Sequence, residues 1–316
     1  MPEKFFAGAD VGGTSIKAGI CNERGDLLHL IEGPTEAQQG ADRILANIRK
    51  YVRQAAEEAS VPWDQIAGVG VGVAGFLDIP RGYVKTSPNL PLANVPLKEH
   101  LEGALGKPVR VNNDANVAAL AEARVGAGRN VGSIVMYTLG TGVGGGIVVD
   151  GRLIAGSSGM GGELGHMPIV PDLEAIQCGC GKMGCLETVS SATGIVRMAK
   201  DALRRGDQTV LATLETLTAA DVMEAAKSGD ATAQRIISRA AHYLGKSMAV
   251  VSVVVNPARF VIGGGVGKAG EFLLSQVRDY FRKYALEKAQ EGVEIVAAEL
   301  GNTAGVIGAA MLLQDA

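Results

Sequence analysis

The sequence predicts an α/β protein with about two domains. Along its 316 residues, segments with the periodicity of strands alternate with segments that have the periodicity of helices, and this alternation is typical of α/β folds. At roughly 150 residues per domain, the length indicates about two domains. A glycine turn at residues 10–14 has a counterpart at residues 138–142. The two similar turns indicate two related halves, with coincidence in a glycine-rich chain as the alternative.

The first half of the chain is expected to contain a hairpin, further strands and two helices. Residues 5–11 and 16–21 are predicted strands because both are apolar and flank the Gly12–Gly13 turn. A helix is predicted at 41–59, where apolar residues recur with the spacing of one helical face: Ile44, Leu45, Ile48, Val52 and Ala55. The other elements predicted here are strands at 27–32, 66–73, 109–112, 133–139 and 145–149, and a helix at 115–125 that begins directly after Asp114.

The second half is expected to be mainly helical. Residues 156–187 are rich in glycine and are predicted to be irregular. Residues 259–262 are apolar throughout, which is typical of a buried strand. The other elements predicted here are helices at 192–204, 218–228, 231–254, 269–289 and 303–314, and a strand at 293–299.

Charge and composition argue against several classes of protein. The net charge is −3, so a wide basic surface for nucleic acid is not expected. The longest strongly apolar run, residues 248–255, is about half of the roughly 18 residues that a membrane-spanning helix needs. Asp10 interrupts the N-terminal apolar run before a signal-peptide core forms. We therefore expect a cytoplasmic protein with no nucleic-acid or membrane partner.

Glycine turns between strands can bind phosphate, because consecutive backbone N–H groups line a concave surface. Residues 12–14 and 140–142 form two such turns. A third glycine run at 263–267 follows a strand and precedes a helix, so it could seat a nucleotide or simply connect the two elements. Residues 140–145 match the dinucleotide pattern G-x-G-x-x-G, but that site requires a helix next. Residues 147–149 are predicted to be a strand, which argues against a dinucleotide site.

Asp114 is a candidate catalytic base. It lies where a predicted strand ends and a helix begins, and sites of α/β proteins form at the carboxyl ends of strands. A carboxylate there can accept a proton from a substrate hydroxyl, and the neighbouring Asn113 amide can donate and accept hydrogen bonds to a sugar. The alternative is that Asp114 only caps the helix.

One histidine and three cysteines make a candidate metal site. The set His166, Cys178, Cys180 and Cys185 is a Cys₃His group, which is typical of closed structural zinc sites. A disulfide is disfavoured, because the number is odd and Cys178 lies too close to Cys180 for an easy bridge.

Two glutamates and a fourth cysteine complete the candidate residues. Glu163 and Glu187 flank the metal ligands, so a bound metal would fix where both carboxylates point. The alternative for both is solvated loop charge. Cys21 stands alone on a predicted strand and is expected to be a small core residue.

Five segments together resemble the ROK family (repressors, open reading frames and sugar kinases), most closely its bacterial glucokinases. They are residues 10–17, 112–116, 139–145, 162–166 and 178–187, and the last, CGCGKMGCLE, is highly specific to the family. The resemblance covers nearly the whole chain. It implies the actin/hexokinase-like (ribonuclease H-like) fold, with two α/β domains around a cleft. The expected domains are 1–113 with 300–316, and a larger domain of 114–299 that carries the zinc loop.

The resemblance also implies an activity and a set of site residues. The expected reaction is ATP-dependent phosphorylation of glucose at its 6-hydroxyl, with Mg²⁺ and a structural Zn²⁺. The expected catalytic base is Asp114, and the expected sugar ligands are Gly75, Asn113, Asp114, Glu163, His166 and Glu187. The expected nucleotide and phosphate contacts are Asp10, Gly12, Gly13, Thr14, Thr141, Gly142, Gly264 and Gly265. The expected zinc ligands are His166, Cys178, Cys180 and Cys185. A homodimer is expected from the family.

The family leaves alternatives to a glucokinase. Its kinases for N-acetylmannosamine, N-acetylglucosamine or fructose share most of these motifs. Its repressors carry a helix-turn-helix before the kinase-like body, and with nine residues before Asp10 in this sequence we do not expect one here. A sugar-sensing binding protein is the non-enzyme alternative, against which the intact Asp114 and both phosphate turns argue. Ser15 departs from the family, where many members have lysine or asparagine, so the resemblance implies no phosphate contacts beyond Thr14.

Overall fold

A computed structural model of the protein describes residues 4–315. Its strands are β1 (Phe5–Val11), β2 (Ser15–Asn22), β3 (Leu27–Pro34), β4 (Ile66–Val73), β5 (Phe76–Asp78), β6 (Tyr83–Thr86), β7 (Ala93–Val95), β8 (Val109–Asn113), β9 (Ser133–Leu139), β10 (Val143–Val149), β11 (Arg152–Leu153), β12 (Arg259–Gly263) and β13 (Glu294–Ala297). Its α-helices are α1 (Ala41–Glu58), α2 (Leu97–Leu105), α3 (Asp114–Val125), α4 (Glu187–Ser190), α5 (Ala192–Arg204), α6 (Ala219–Lys227), α7 (Ala231–Ser252), α8 (Gly264–Gly267), α9 (Glu271–Tyr284), α10 (Glu287–Gln290) and α11 (Ala304–Met311).

Two five-stranded sheets share one strand order. In the first, β3-β2-β1-β4-β8, strand β1 is antiparallel to β2, while β4 is parallel to both β1 and β8. In the second, β11-β10-β9-β12-β13, strand β12 is parallel to both β9 and β13. Each sheet thus contains three consecutive strands, β1–β3 in the first sheet and β9–β11 in the second. Two parallel strands lie beside the first of the three: β4 and β8 next to β1, and β12 and β13 next to β9. The predicted α/β class is confirmed, and the similarity of the two glycine turns extends to the topology.

Some elements differ from those that the sequence predicts. A small antiparallel sheet, β5-β6-β7, and helix α2 lie between β4 and β8, where no elements were expected. The prediction of one helix over 269–289 is wrong. Helix α9 ends at Tyr284 because Ala285 adopts an extended backbone, with φ −76° and ψ 145°.

The chain divides into two compact units. Unit 1 runs to Ser133 and also contains Gly146–Gly162 and the chain from Glu299 onward. Unit 2 consists of Ile134–Gly145 and Glu163–Ala298.

Helix α11 is central to unit 1, where it packs against β1, β4 and α3. The approach is so close that only glycine fits at two positions. A Cβ at Gly70 would lie 1.7 Å from the carbonyl oxygen of Ala309, and one at Gly308 would lie 1.7 Å from that of Val117. Backbone therefore touches backbone on both sides of α11.

A fully buried carboxylate, that of Glu122 on α3, holds the chain where it re-enters unit 1. It accepts hydrogen bonds from the backbone N–H groups of Ala127 at 2.7 Å, Leu300 at 2.8 Å and Glu299 at 3.2 Å. Buried charges are tolerated where hydrogen bonds replace those of water. Cys21 is buried beside Phe6 in the same unit, which confirms it as a core residue.

Unit 2 is built around its sheet and helix α7, which packs against α5, α6 and α9. Tyr137 and Phe260 are fully buried in it, and the Tyr137 hydroxyl accepts a hydrogen bond from Ser247 at 3.2 Å. None of the helices in the described part of the chain has both the length and the apolar composition that crossing a bilayer requires.

Candidate active site

The first sheet brings several predicted site residues to one edge of unit 1. Asp10 on β1 is paired in register with Gly72 on β4, and Gly72 is paired with Asn112 on β8. These three strands are parallel, so their carboxyl ends meet at the same edge. Asp114 begins helix α3 directly after β8 and therefore lies at this same edge, with β4 between β8 and β1.

Asn113, and not Asp114, caps helix α3. The Asn113 Oδ1 atom accepts hydrogen bonds from the N–H groups of Ala115 at 2.9 Å and Asn116 at 3.3 Å, which is how an N-cap side chain satisfies the first turn. The alternative in which Asp114 serves as the cap is therefore wrong. The Asp114 Oδ1 atom accepts a hydrogen bond from the N–H of Ala115 at 3.0 Å, and no side chain among residues 4–315 donates a hydrogen bond to its Oδ2 atom. That oxygen can act on a ligand.

Two carboxyl groups in unit 1 have raised pKa values. Burial, the largest cause, and the charge of Asp114 raise the pKa of Asp10 from 3.8 to about 6. Burial also raises the pKa of Asp114. Each carboxyl is therefore a stronger proton acceptor than an exposed aspartate.

The first glycine turn is held by Thr35 and keeps donors free. The hydroxyl of Thr35 donates to the Gly12 carbonyl at 2.6 Å, and its N–H donates to the Thr14 carbonyl at 2.9 Å. Within residues 4–315, the exposed N–H groups of Gly13 and Thr14 donate to no protein acceptor. The hydroxyl of Ser15, the position that departs from the family, donates to Glu32 at 2.6 Å.

Gly75 lies beyond β4 in unit 1. Its φ of 138° falls in the region that favours glycine, and a Cβ there would lie 2.4 Å from the Thr86 carbonyl oxygen. Its own carbonyl accepts a long hydrogen bond of 3.5 Å from the Asn113 amide. The predicted residues of unit 1 thus provide two features. The carboxyl groups of Asp10 and Asp114 lie at one edge of the sheet, and the turn at residues 12–14 has unpaired N–H groups.

The second glycine turn lies in unit 2. The Gly140 N–H donates to the Gly142 carbonyl at 3.0 Å, and the Val143 N–H donates to Glu187 Oε2 at 3.0 Å. Among the described residues, no acceptor is paired with the N–H of Thr141 or Gly142. Two unpaired donors in succession are suited to phosphate oxygens.

The histidine and the three cysteines come together in unit 2. One ligand atom from each of His166, Cys178, Cys180 and Cys185 lies within 4.8 Å of the others. The Cys180 and Cys185 sulfurs are 3.7 Å apart, and the Cys178 sulfur is 3.7 Å from His166 Nδ1. Tetrahedral zinc with Zn–S bonds of about 2.3 Å separates its sulfurs by about 3.8 Å, so the four residues fit this metal.

The free imidazole nitrogen and the glutamates extend this cluster. His166 Nε2 lies 3.9 Å from Glu163 Oε2. The imidazole of His166 therefore faces the cysteine sulfurs with Nδ1 and the Glu163 carboxylate with Nε2. Glu187 Oε1 lies 3.4 Å from the Cys178 sulfur. Burial raises the pKa of the Cys178 and Cys185 thiols, and metal coordination would deprotonate them.

A cavity of about 470 Å³ lies between the 140–142 turn, helix α6 and helix α8, all within unit 2. Gly264, at the start of α8, has φ 82°, and a Cβ there would lie 2.5 Å from the Leu139 carbonyl oxygen. Ala219, Ala220, Met223, Val266 and Ala269 make most of the wall apolar, while Thr141, Glu224 and Lys227 add polar groups. Gly265, which is a predicted nucleotide contact, lines this cavity. Glu224 and Lys227 also line it, and no sequence motif indicates them.

The family model described as ROK family matches residues 6–316. The chain belongs to the ROK family. Its fold is therefore the actin/hexokinase-like fold of ROK kinases, as predicted. A glucokinase of Halalkalibacterium halodurans is 40% identical over 100% of this chain and 96% of its own length.

Two solved ROK structures are similar to the chain over nearly all of it. A ROK hexokinase from Thermus thermophilus has a TM-score of 0.87 at 33% identity, with 99% of this chain and 100% of that one covered. A ROK family glucokinase from Streptomyces griseus, in complex with glucose and AMPPNP, has a TM-score of 0.81 at 34% identity, with 99% and 100% covered.

Proposed function

We propose that this ROK protein is an ATP-dependent glucokinase, which transfers the γ-phosphoryl group of ATP to the 6-hydroxyl of glucose. The observation that carries the proposal is the whole-chain similarity to proteins named glucokinase, at up to 40% identity. The cavity beside the 140–142 turn and the free carboxylate oxygen of Asp114 are the features that such an enzyme needs.

Asp114 is the proposed general base. Its Oδ2 atom would accept the proton of the 6-hydroxyl while that oxygen forms a bond to the γ-phosphorus. The bond from the γ-phosphorus to the oxygen that bridges to the β-phosphorus breaks at the same time, and ADP leaves. Burial raises the pKa of Asp114, which strengthens the carboxylate as a proton acceptor.

The remaining site residues are proposed to bind and orient the two substrates. The proposed sugar ligands are Gly75, Asn113, Glu163, His166 and Glu187. The two glycine turns present unpaired N–H groups that suit phosphate oxygens, at Gly13 and Thr14 in the first turn and at Thr141 and Gly142 in the second. Gly265 lines the cavity proposed for adenosine, and Gly264 directly precedes it in the chain. Phosphoryl transfer depends mostly on such positioning and on charge stabilisation.

Two metal ions are part of the proposal. Zn²⁺ would be held by His166 and the three cysteines as a closed structural site, which supplies folding energy and no open coordination position. Mg²⁺ would lie near Asp10 and neutralise the charge of the phosphates. The homodimer and the cytoplasmic location stay predictions.

A comparison of sugars tests the proposal. With ATP and Mg²⁺, kcat/KM would be measured for glucose, mannose, fructose, N-acetylglucosamine and N-acetylmannosamine. Glucose is expected to exceed the acetamido sugars by at least about tenfold, which is about 1.4 kcal/mol of transition-state discrimination. A preference for an acetamido sugar would refute the glucokinase and leave a hexose kinase. No sugar-dependent ATP consumption, together with sugar binding, would support the sugar-sensing alternative instead.

A further inference from the structure

The metal-binding loop and the second glycine turn meet at Val143. The Val143 N–H donates to Glu187 Oε2 at 3.0 Å, and Glu187 follows the metal ligand Cys185 by two residues. From the other side, Gly165 packs on the Val143 carbonyl so closely that a Cβ would lie 1.9 Å from its oxygen. Gly165 directly precedes the metal ligand His166. The N–H of Val143 is thus bonded to Glu187 and its carbonyl is in contact with Gly165, and both of these residues lie within two positions of a metal ligand.

The chain that follows Glu187 holds the rest of the turn. The Ala192 N–H donates to the Gly140 carbonyl at 2.9 Å, and the Thr193 hydroxyl donates to the Thr141 carbonyl at 2.8 Å. At Gly142 a Cβ would lie 2.1 Å from Glu187 Oε2, so the carboxylate occupies the space that any other residue would need. The turn is therefore shaped by the loop and helices beside it, and its own short connection contributes one internal hydrogen bond, from Gly140 to Gly142.

We infer that Glu187 is a positioning residue for the nucleotide, through which the metal-binding loop sets the shape of the phosphate-binding turn. The inference rests on the proposed function, and it gives Glu187 a task that does not involve the sugar. Metal ligation fixes His166 and Cys185, which in turn fix Gly165 and Glu187 on either side of Val143. The N–H groups of Thr141 and Gly142 are then held in the orientation that phosphate oxygens require, and a preorganised site binds more tightly.

The charge of Glu187 acts in the opposite direction to its positioning role. A carboxylate close to a phosphate site repels the phosphates, so a variant that only loses the charge would bind nucleotide equally well or better. Glu187→Gln loses the charge but keeps an oxygen that can accept from Val143. Glu187→Ala loses both. Comparison of the two variants therefore isolates the hydrogen bond to the turn from the charge.

The first experiment measures the dissociation constant of AMPPNP by calorimetry, without sugar, on the zinc-loaded full chain. AMPPNP is expected to bind Glu187→Ala about 2- to 13-fold more weakly than Glu187→Gln, the range for the loss of one hydrogen bond. Ser190→Ala is the matched control, because Ser190 lies on the same helix α4 but donates to the Ala240 carbonyl. Its affinity is expected to equal that of the wild type. Equal affinities for the Ala and Gln variants would overturn the inference.

The second experiment follows the turn directly. Hydrogen exchange of the backbone amides in residues 139–146 would be measured in zinc-loaded protein, in protein treated with a chelator, and in zinc-loaded Glu187→Ala. Exchange is expected to be faster in the last two, while the β1–β2 hairpin of unit 1 remains as protected as in the zinc-loaded protein. Unchanged exchange at the turn in Glu187→Ala would overturn the inference, whatever chelation does to the fold.

The outcomes separate the inference from the proposed function. If wild-type protein bound no AMPPNP, the proposed function and the inference would both fail. If the wild-type protein bound AMPPNP and the two Glu187 variants bound it with equal affinity, the inference alone would fail.

Discussion

Replacement of Asp10 by asparagine is expected to stabilise the protein while it impairs the reaction. Burial, the larger cause, and the charge of Asp114 raise the pKa of the Asp10 carboxyl from 3.8 to about 6. A shift of this size corresponds to about 3 kcal/mol of unfavourable free energy for the ionised form in the folded state. Asparagine has nearly the same shape and no charge, so Asp10→Asn would remove this term.

The effect has a defined pH window. Between pH 4 and pH 6, the folded wild type binds more protons at Asp10 than the unfolded chain does, so its stability falls as the pH rises through this range. The asparagine variant lacks this dependence. The stability difference is therefore expected to be close to zero below pH 4, to grow up to about pH 6 and to reach about 2–3 kcal/mol at pH 7.5.

Urea unfolding followed by tryptophan fluorescence measures this difference. The single tryptophan, Trp63, belongs to unit 1, as does Asp10, so the signal reports on the unit that changes. Asp150→Asn, at an exposed aspartate of unit 1, is the control and is expected to change stability by less than about 0.5 kcal/mol at every pH. The reasoning is refuted if Asp10→Asn is no more stable than the wild type at pH 7.5, or if the gain is equally large at pH 4.

Three further substitutions test other parts of the structure. Asp114→Asn should lower kcat by about 10²–10⁴-fold in a coupled assay, since the amide cannot accept the proton; retention of more than roughly a tenth of the turnover would exclude Asp114 as the base. Cys180→Ser should lower both the zinc content by metal analysis and the melting temperature, because structural zinc contributes to folding; a full complement of zinc in the variant would contradict this role. Glu122→Gln should cost about 2–4 kcal/mol in urea unfolding, because its amide would present a donor to backbone N–H groups that now bond to a buried carboxylate. An unchanged urea midpoint would show that this carboxylate does not hold the chain at Leu300.

The fold was predictable where long segments have a clear period, and less so where elements are short. Helix α1 is 18 residues long, with Ile44, Ile48 and Val52 on its buried face, and its period alone identifies it. Strands β5 and β7 have three residues each, which is too short for any alternation to be seen. Helix α2 has nine residues, and its three buried leucines are too few to distinguish it from a loop.

The site residues were predictable where the residues that act together lie close to one another in the sequence. The cluster of cysteines indicates a metal site by spacing alone, and the structure places all three with His166. The alternative that Asp114 caps α3 is wrong, because Asn113 and Asp114 are both strong N-cap residues and only the backbone, which makes Asn113 the cap, decides between them. The bond from Val143 to Glu187 joins residues 44 positions apart, and nothing in either segment signals the other.

The position of helix α11 in unit 1 has a consequence for the order of folding during synthesis. Its partner β1 is made roughly 300 residues earlier, at about 5–20 residues per second. Gly70 and Gly308 allow α11 to pack with direct backbone contacts. During synthesis, the face of the first sheet that α11 covers therefore stays exposed until residues 304–311 have been made. Unit 2, whose residues lie within 134–298, can close before then. Vectorial synthesis would therefore complete the second unit first and leave the apolar face of the first open to chaperones for tens of seconds.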